Sequence, residues 1–453
     1  MSGSASRGMR IFVIVWLGQL VSQLGSGLTT FALGVWVLAQ TGSVTRFALM
    51  FLAGTGPAVL LSPLAGALVD RWNRRSAMMA CNAGLAVTNL AIIWILSNGH
   101  AVTWPIYVAV AFASAVNALH WPAYSTVVPF LVPPRQFGRA NGMMQGSEAV
   151  AQLLAPAIAG ILLVTVKIQG VLMIDCATFL FALVCLKLVV FPELPATAAA
   201  GSQKRSLFDD ALYGWSYIAA RRGLLGLMAF FAFSNFLAGF VQVLAQPLVL
   251  SFASPAQLGA AVSIGGSGML VGSVWMSLSG GPKSRIHGIL GFHFLLSLAF
   301  ICLGLQPSLP LITASAFVIF LCLPIINGSN RALMNTKVAA DVQGRIFATS
   351  HMIASLTLPL SYVIAGPLAD KIFGPLLVQN GPLAHSVGAF IGVGPGRGIG
   401  LLFVVLGILA IVVTAVGYSF KPLRRIEREL PDVADESTSV DEAPAAVLAE
   451  RLR

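Results

Sequence analysis

Between Ile11 and Phe420 apolar residues follow one another in long stretches, broken only by short Gly, Pro, Ser or basic segments. A membrane-crossing α-helix takes about 20 mostly apolar residues. The pattern predicts twelve such helices, over 11–38, 45–69, 76–97, 104–130, 141–165, 170–191, 225–251, 257–279, 287–305, 309–330, 346–370 and 397–420. After Phe191 the pattern fails: PELPATAAAGSQKRS is a polar linker rich in Pro, Ala and Gly. The following SLFDDALYGWSYIAARR sets Phe208, Leu212, Trp215 and Ala219 on one helical face, with Ser206 and Asp209 spaced as a capping box. That predicts a short helix lying at the membrane surface and joining two halves. The expected divisions are a six-helix bundle over 1–191, a linker over 192–224, a second six-helix bundle over 225–420 and a tail over 421–453. The tail is acidic and Pro/Ala-rich, a composition that reads as disordered.

An internal repeat supports the two halves. Gly138-Arg139 precedes the fifth helix and Gly344-Arg345 the eleventh, and Ala159-Gly160 and Ala365-Gly366 follow at the same offset. Paired bundles of this kind suit a protein whose halves rock around a central site.

Composition fixes the solvent. The 453 residues are 57% hydrophobic and 9% charged, too apolar for a soluble core with a polar coat. The net charge of +11 raises the question of nucleic acid, and its distribution answers it. With the N-terminus inside, only Arg46, Lys167, Lys371 and Arg397 of the basic residues near the helices fall outside, the positive-inside pattern with both termini cytoplasmic. The implied location is a plasma membrane, the inner membrane of a bacterium, and nucleic acid is not an expected partner. The first helix is too long, and too richly continued by further spans, for a cleaved signal peptide. The five cysteines, Cys81, Cys176, Cys185, Cys302 and Cys322, show no paired external spacing, and no His/Cys/Asp cluster has metal-ligand spacing. No GxxxxGK[ST] loop and no nucleophile-base arrangement occurs, so neither ATP drive, an enzyme nor a cofactor is expected.

Charge interrupts the apolar pattern most sharply at GALVDRWNRRS, where the second helix meets the third. It resembles the G-x-L-x-D-R-x-x-R-R loop of the major facilitator superfamily. With VPPRQFGRANGMMQGSEAVAQLLAPAIAG and DVQGRIFATSHMIASLTLPLSYVIAGPLAD, the chain is similar over about residues 10–420 to the exporter branch that includes the macrolide-efflux and enterobactin-exporter families. The resemblance implies the all-α fold of that superfamily, twelve transmembrane helices in two pseudo-symmetric bundles. It also implies a latch that holds the outward-facing state: Gly66, Asp70, Arg71, Arg74, Arg75 and Arg345, with Asp70 facing the positive N-terminal end of the eleventh helix. Arg71, Arg74 and Arg75 also serve as topology determinants. Two departures stand out. SLSGGPKSRIHGIL, the matching loop of the second half, has no acid, and the fourth helix lacks the arginine of many drug/proton antiporters.

Within the helices, LLAPAIAG looks like a degraded antiporter G-P-x-x-G-G motif, in which Ala155, Pro156, Ala159 and Gly160 would pack tightly on the other bundle. Glu148 and Asp175 are candidates for coupling, since ionisable residues inside a membrane are expensive and functional by default. Either a buried proton-carrying carboxyl or a structural hydrogen bond fits each. Gln19 and Gln23 with Phe31 on the first helix, and Asn235, Gln242 and Gln246 on the seventh, are candidate cavity residues. Uncharged amides among aromatics suit a large amphipathic cargo. The long apolar segment FGPLLVQNGPLAHSVGAFIGVGPGRG reads as an external lid.

The expected function is secondary export of an amphipathic small molecule, a drug, siderophore or nonribosomal-peptide-like metabolite, by proton antiport. The partners are that substrate, a proton and the lipid bilayer, and the expected state is a monomer. Import or facilitated passage of a metabolite remains open, as does a non-transporting membrane partner of a biosynthetic complex.

Overall fold

In a computed structural model of the chain, the described residues are 2–69, 72–98, 103–125, 127, 131–189, 215–338 and 340–429. Among the described residues, twelve long helices carry the fold. The first six are α1 (Ser2–Thr41), α2 (Val44–Val69), α3 (Arg74–Ser97), α4 (Trp104–Ser125), α5 (Phe137–Thr165) and α6 (Lys167–Leu188). The second six are α7 (Arg222–Leu250), α8 (Pro255–Ser279), α9 (Arg285–Leu305), α10 (Leu309–Lys337), α11 (Ala340–Pro367) and α12 (Arg397–Ser419). Each contains a stretch long and apolar enough to cross a membrane. No strand occurs among the described residues.

The sequence explains several helix ends. Before α8, Ser254 and Gln257 form a capping box: the Gln257 N–H donates to Ser254 Oγ at 3.3 Å and the Ser254 N–H to Gln257 Oε1 at 2.9 Å. Pro255 at the first helical position needs no hydrogen-bonded N–H. Asn73 caps α3 by accepting from the Arg75 N–H at 3.0 Å. Large apolar side chains such as Leu60, Leu188 and Leu278 face outward, as hydrocarbon surroundings favour.

The helices form two bundles, α1–α6 and α7–α12, whose axes run between two unlike ends. At the basic end lie Arg74, Arg75, Lys187, Arg222, Lys283, Arg285 and Lys337; the far end holds the turns near residues 42, 166, 252 and 307 and the segment 374–396.

The bounds differ from the expected ones where polar residues continue a helix. α10 runs to Lys337, past residue 330, because the polar run NGSNRALMNTK stays helical while it faces a cavity. Beyond Pro367, α11 passes into a π-helical turn, Leu368–Phe373. The linker is described only in part. Phe208 and Leu212 lie outside the described residues; residues 215–220 are helical, but Ile218 is the buried side chain while Trp215 and Ala219 are exposed. The expected disordered tail from 421 is corrected. Lys421–Arg424 and Ile426–Glu429 are helical, and the Glu427 carboxylate accepts from the Ile286 N–H at 2.7 Å and Ser284 Oγ at 3.0 Å. An acid at the N-terminus of α9 is favoured by the helix dipole, which binds the chain's last described turn to the bundle. Residues 430–453 lie outside the description.

The segment expected as a lid folds onto the second bundle. Leu377 and Ile391 are buried, and the buried Arg397 donates from Nη1 to the Ile391 carbonyl at 3.0 Å. The GPGRG turn is explained by its backbone: Gly394 and Gly396 have φ of 125° and 76°, where a side chain would strain the chain.

Candidate functional site

The bundles meet at the far end through two helix pairs. In the first, α2 against α11, Asp370 from the π-helical turn caps the start of α2. Its carboxylate accepts from Ser43 Oγ at 2.7 Å, the Val44 N–H at 3.1 Å, the Thr45 N–H at 2.8 Å and Thr45 Oγ1 at 2.8 Å. This places a negative charge on the positive end of a helix from the other bundle. One turn below, Gly366 lies so close to α2 that a Cβ there would come within 2.5 Å of Thr45 Cα. Deeper still, Phe51 meets Tyr362 edge to face, with centroids 6.1 Å apart.

The second pair is α5 against α8. Ala155 and Ala159 are fully buried, and a Cβ on Gly160 would come within 2.6 Å of the Pro255 carbonyl oxygen. Gly259 sits directly on the Pro156 carbonyl, and Ser263 Oγ donates to the Leu153 carbonyl. Thus Ala155, Pro156, Ala159 and Gly160 lie on the face that joins the bundles, with α8 supplying the matching glycine.

Toward the basic end two cavities replace this contact. The first, about 530 Å³, is lined by Gln23, Phe31, Trp121, Glu148, Gln152 and Gln246 among others, so it draws on both bundles. The second, about 660 Å³, lies among α7, α10 and α11 and includes Asn235, Asn327, Asn330, Arg331 and Ser350. Both volumes suit a drug-sized molecule.

The candidate cavity residues therefore separate. Gln23, Phe31 and Gln246 line the first cavity and Asn235 the second. Gln19 does not line either; it is fully buried, with both amide atoms unpartnered. Gln242 accepts the Tyr362 hydroxyl instead of facing either cavity.

The two coupling candidates occupy opposite environments. Glu148 is not buried as expected: its side chain is exposed to the first cavity, roughly 16 Å along α5 from the helix start. Asp175 is buried and accepts from Thr29 Oγ1 at 2.6 Å, Asn89 Nδ2 at 2.8 Å and Thr178 Oγ1 at 3.1 Å. A carboxylate so surrounded by donors joins α1, α3 and α6.

Asp70 and Arg71 lie outside the described residues, as do the surroundings of Gly66 and the side chain of Arg345. Arg75 makes its contacts within its own bundle in this state. Its Nε donates to the Leu186 carbonyl at 2.9 Å and its Nη2 to the Lys187 carbonyl at 3.0 Å, so it caps the end of α6 in its own bundle. Sequence reasoning missed Asp370 and Arg331. The first had a signal, an acid at the end of a span, where positive-inside bias gives it no purpose. The second was hidden by the early expected end of α10.

The Major Facilitator Superfamily model matches residues 15–361. Macrolide efflux protein A of Streptococcus pyogenes is 24% identical over 375 residues, covering 80% of this chain and 90% of the relative. The multidrug efflux pump Tap of Mycolicibacterium fortuitum is 24% identical over 385 residues, covering 79% and 89%. Among solved structures, a bacterial homolog of the human lysosomal transporter Spinster, inward-facing and unoccupied, aligns with a TM-score of 0.66 at 14% identity, covering 90% of this chain and 96% of that one. The nucleoside transporter NupG aligns with a TM-score of 0.67 at 13% identity, covering 90% and 98%.

Proposed function

The chain belongs to the major facilitator superfamily, and from that footing we propose that it is a secondary active exporter of amphipathic small molecules, driven by proton antiport through alternating access. The observation that carries the reading is the pair of polar and aromatic cavities at the basic end, under a far end closed by Asp370 and the α5–α8 contact. Positive-inside bias favours a cytoplasmic basic end. The cavities then receive cargo from the cytoplasm or the inner leaflet of a bacterial inner membrane. Relatives named for macrolide and multidrug efflux support the outward direction.

In this reading the bundles rock about the central cavities. The far-end contacts part and the basic end closes, where Asp70 would engage the start of α11 beside Arg345, with Gly66, Arg71 and Arg74 contributing. Arg75 stays with α6 and sets topology.

Proton coupling is assigned to Glu148. Its carboxylate faces the cargo cavity, so proton and cargo compete for one site, which is what exchange requires. Asp175 has its lone pairs engaged by three side chains and holds α1, α3 and α6 together.

Inside-out vesicles test this, with erythromycin as probe and a pH-sensitive dye reporting proton release. Wild type is expected to accumulate the probe and dissipate the pH gradient when it is added. Glu148→Gln should lower gradient-driven uptake at least about tenfold, in the range of a lost general acid-base or charge-assisted group, with the protein still in the membrane. Unchanged probe-dependent proton movement in Glu148→Gln would remove Glu148 as the carrier. Uptake in the absence of any gradient response, in wild type, would favour a facilitator.

A further inference from the structure

We infer that the second cavity is a subsite for an acidic head group, a carboxylate or comparable oxyanion, carried on an amphipathic cargo. The inference rests on the exporter reading for treating the occupant as cargo; the site itself follows from the geometry.

The last three turns of α10 present Asn327, Asn330 and Arg331 to one cavity, at the three-to-four-residue spacing that puts side chains on a common helix face. Asn235 on α7 and Ser350 on α11 approach the same space. The polar stripe thus faces the interior of the bundle. Asn330 Oδ1 and Ser350 Oγ are buried without a hydrogen-bond partner. Buried polar atoms that no protein group satisfies are usually met by water or a ligand.

Arg331 gives the subsite its sign. Its side chain is exposed to the cavity, and none of the described residues lining that cavity is acidic. It sits roughly 9 Å inside the end of α10 at Lys337, on the part of the helix that borders the cavity. A guanidinium presents a planar fork of donors that matches a carboxylate two bonds at a time, and neighbouring Asn amides supply further donors. Phe231 and Leu358 form an apolar wall beside it, suited to the acyl or ring portion of an amphiphile.

The other cavity fixes the orientation. It carries Glu148 together with Phe31 and Trp121, so an anion is disfavoured there and an apolar or cationic portion is accepted. The cargo's acidic end is therefore held by the second bundle and its remainder lies toward the first. A charged subsite departs from the expectation of uncharged amides among aromatics.

Equilibrium binding of dansyl-labelled undecanoic acid and of its methyl ester, to the full chain in phosphatidylcholine nanodiscs, tests the subsite. Energy transfer from tryptophan to dansyl reads the affinity. The acid is expected to bind wild type about tenfold more tightly than the ester, a modest value for one charge-assisted bidentate pair. Arg331→Gln should bring the acid to the ester's affinity and leave the ester unchanged, while Arg331→Lys should keep part of the preference. Equal binding of acid and ester by wild type would overturn the subsite, as would an equal loss for both in Arg331→Gln. The measurement involves no transport. Vesicles that fail to move any probe, with acid preference intact, would therefore sink the exporter reading and leave the subsite standing.

Discussion

Asp370→Ala is expected to move the protein out of the state closed at the far end and to stop its transport cycle. The carboxylate accepts four hydrogen bonds from Ser43, Val44 and Thr45, and it does so at the positive end of α2. Hydrogen bonds to a charged group are worth about 1.5–3 kcal/mol each when fully realised, and a charge at a helix terminus about 0.3–1 kcal/mol, up to ~2 in partly buried sites. Asp370 is partly exposed, so these terms do not add in full. A net loss of about 2–4 kcal/mol for alanine is reasonable, and about half that for asparagine, which keeps an acceptor oxygen. Even the lower figure changes a two-state ratio about thirtyfold. Spin labels at Ser97 and Gln306, both exposed at the far end of different bundles, would report it in a cysteine-free background. Longer inter-label distances are expected in Asp370→Ala, intermediate ones in Asp370→Asn, with efflux falling in the same order. An unchanged distance distribution would show that the contact follows closure without favouring it.

The location of Asp370 also marks what the sequence could and could not disclose. Twelve helices were legible because hydrocarbon thickness imposes a length and an apolar composition on each span. The small residues of LLAPAIAG were legible because close helix packing restricts the residue type. Partners were not. The α2 start that Asp370 caps lies more than 300 residues away, at |i−j| of 325 to 327, and no local pattern encodes a pairing at that distance. Asp175 is similar, since Thr29 and Asn89 reach it from two other helices. Arg331 fell just beyond the expected span 309–330 for a different reason. Hydropathy ends a span where apolar residues stop, but a helix continues wherever its backbone bonds are satisfied, and α10 continues along a cavity that accepts polar side chains. The same error made Glu148 look buried: the apolar surroundings read along α5 are those of the helix, while its side chain points into the cavity between bundles.

Closure of the far end depends on backbone proximity as well as on charge, and here the largest steric effect is expected from Gly259→Val. A Cβ at this position would run into the Pro156 carbonyl oxygen and its carbon, with Ala157 Cα beside them. All three are backbone atoms, so no side-chain rotation relieves the contact, and α5 must move away from α8. Overpacking of this kind costs about 1–3 kcal/mol. That strain exists only while the bundles touch, so it acts on the conformational equilibrium more than on the stability of either bundle. Gly259→Ala already introduces the offending atom and should show a smaller shift; Gly259→Val should abolish efflux while the protein remains monodisperse in detergent. Gly291→Val is the matched control, since a Cβ on that glycine of α9 meets nothing within 4 Å. Wild-type efflux and label distances are expected for it. If Gly259→Val behaved like Gly291→Val in both measurements, the α5–α8 contact would be incidental to the cycle. Closure would then rest on α2 and α11 alone, and the Asp370 variants would carry its whole energetic weight.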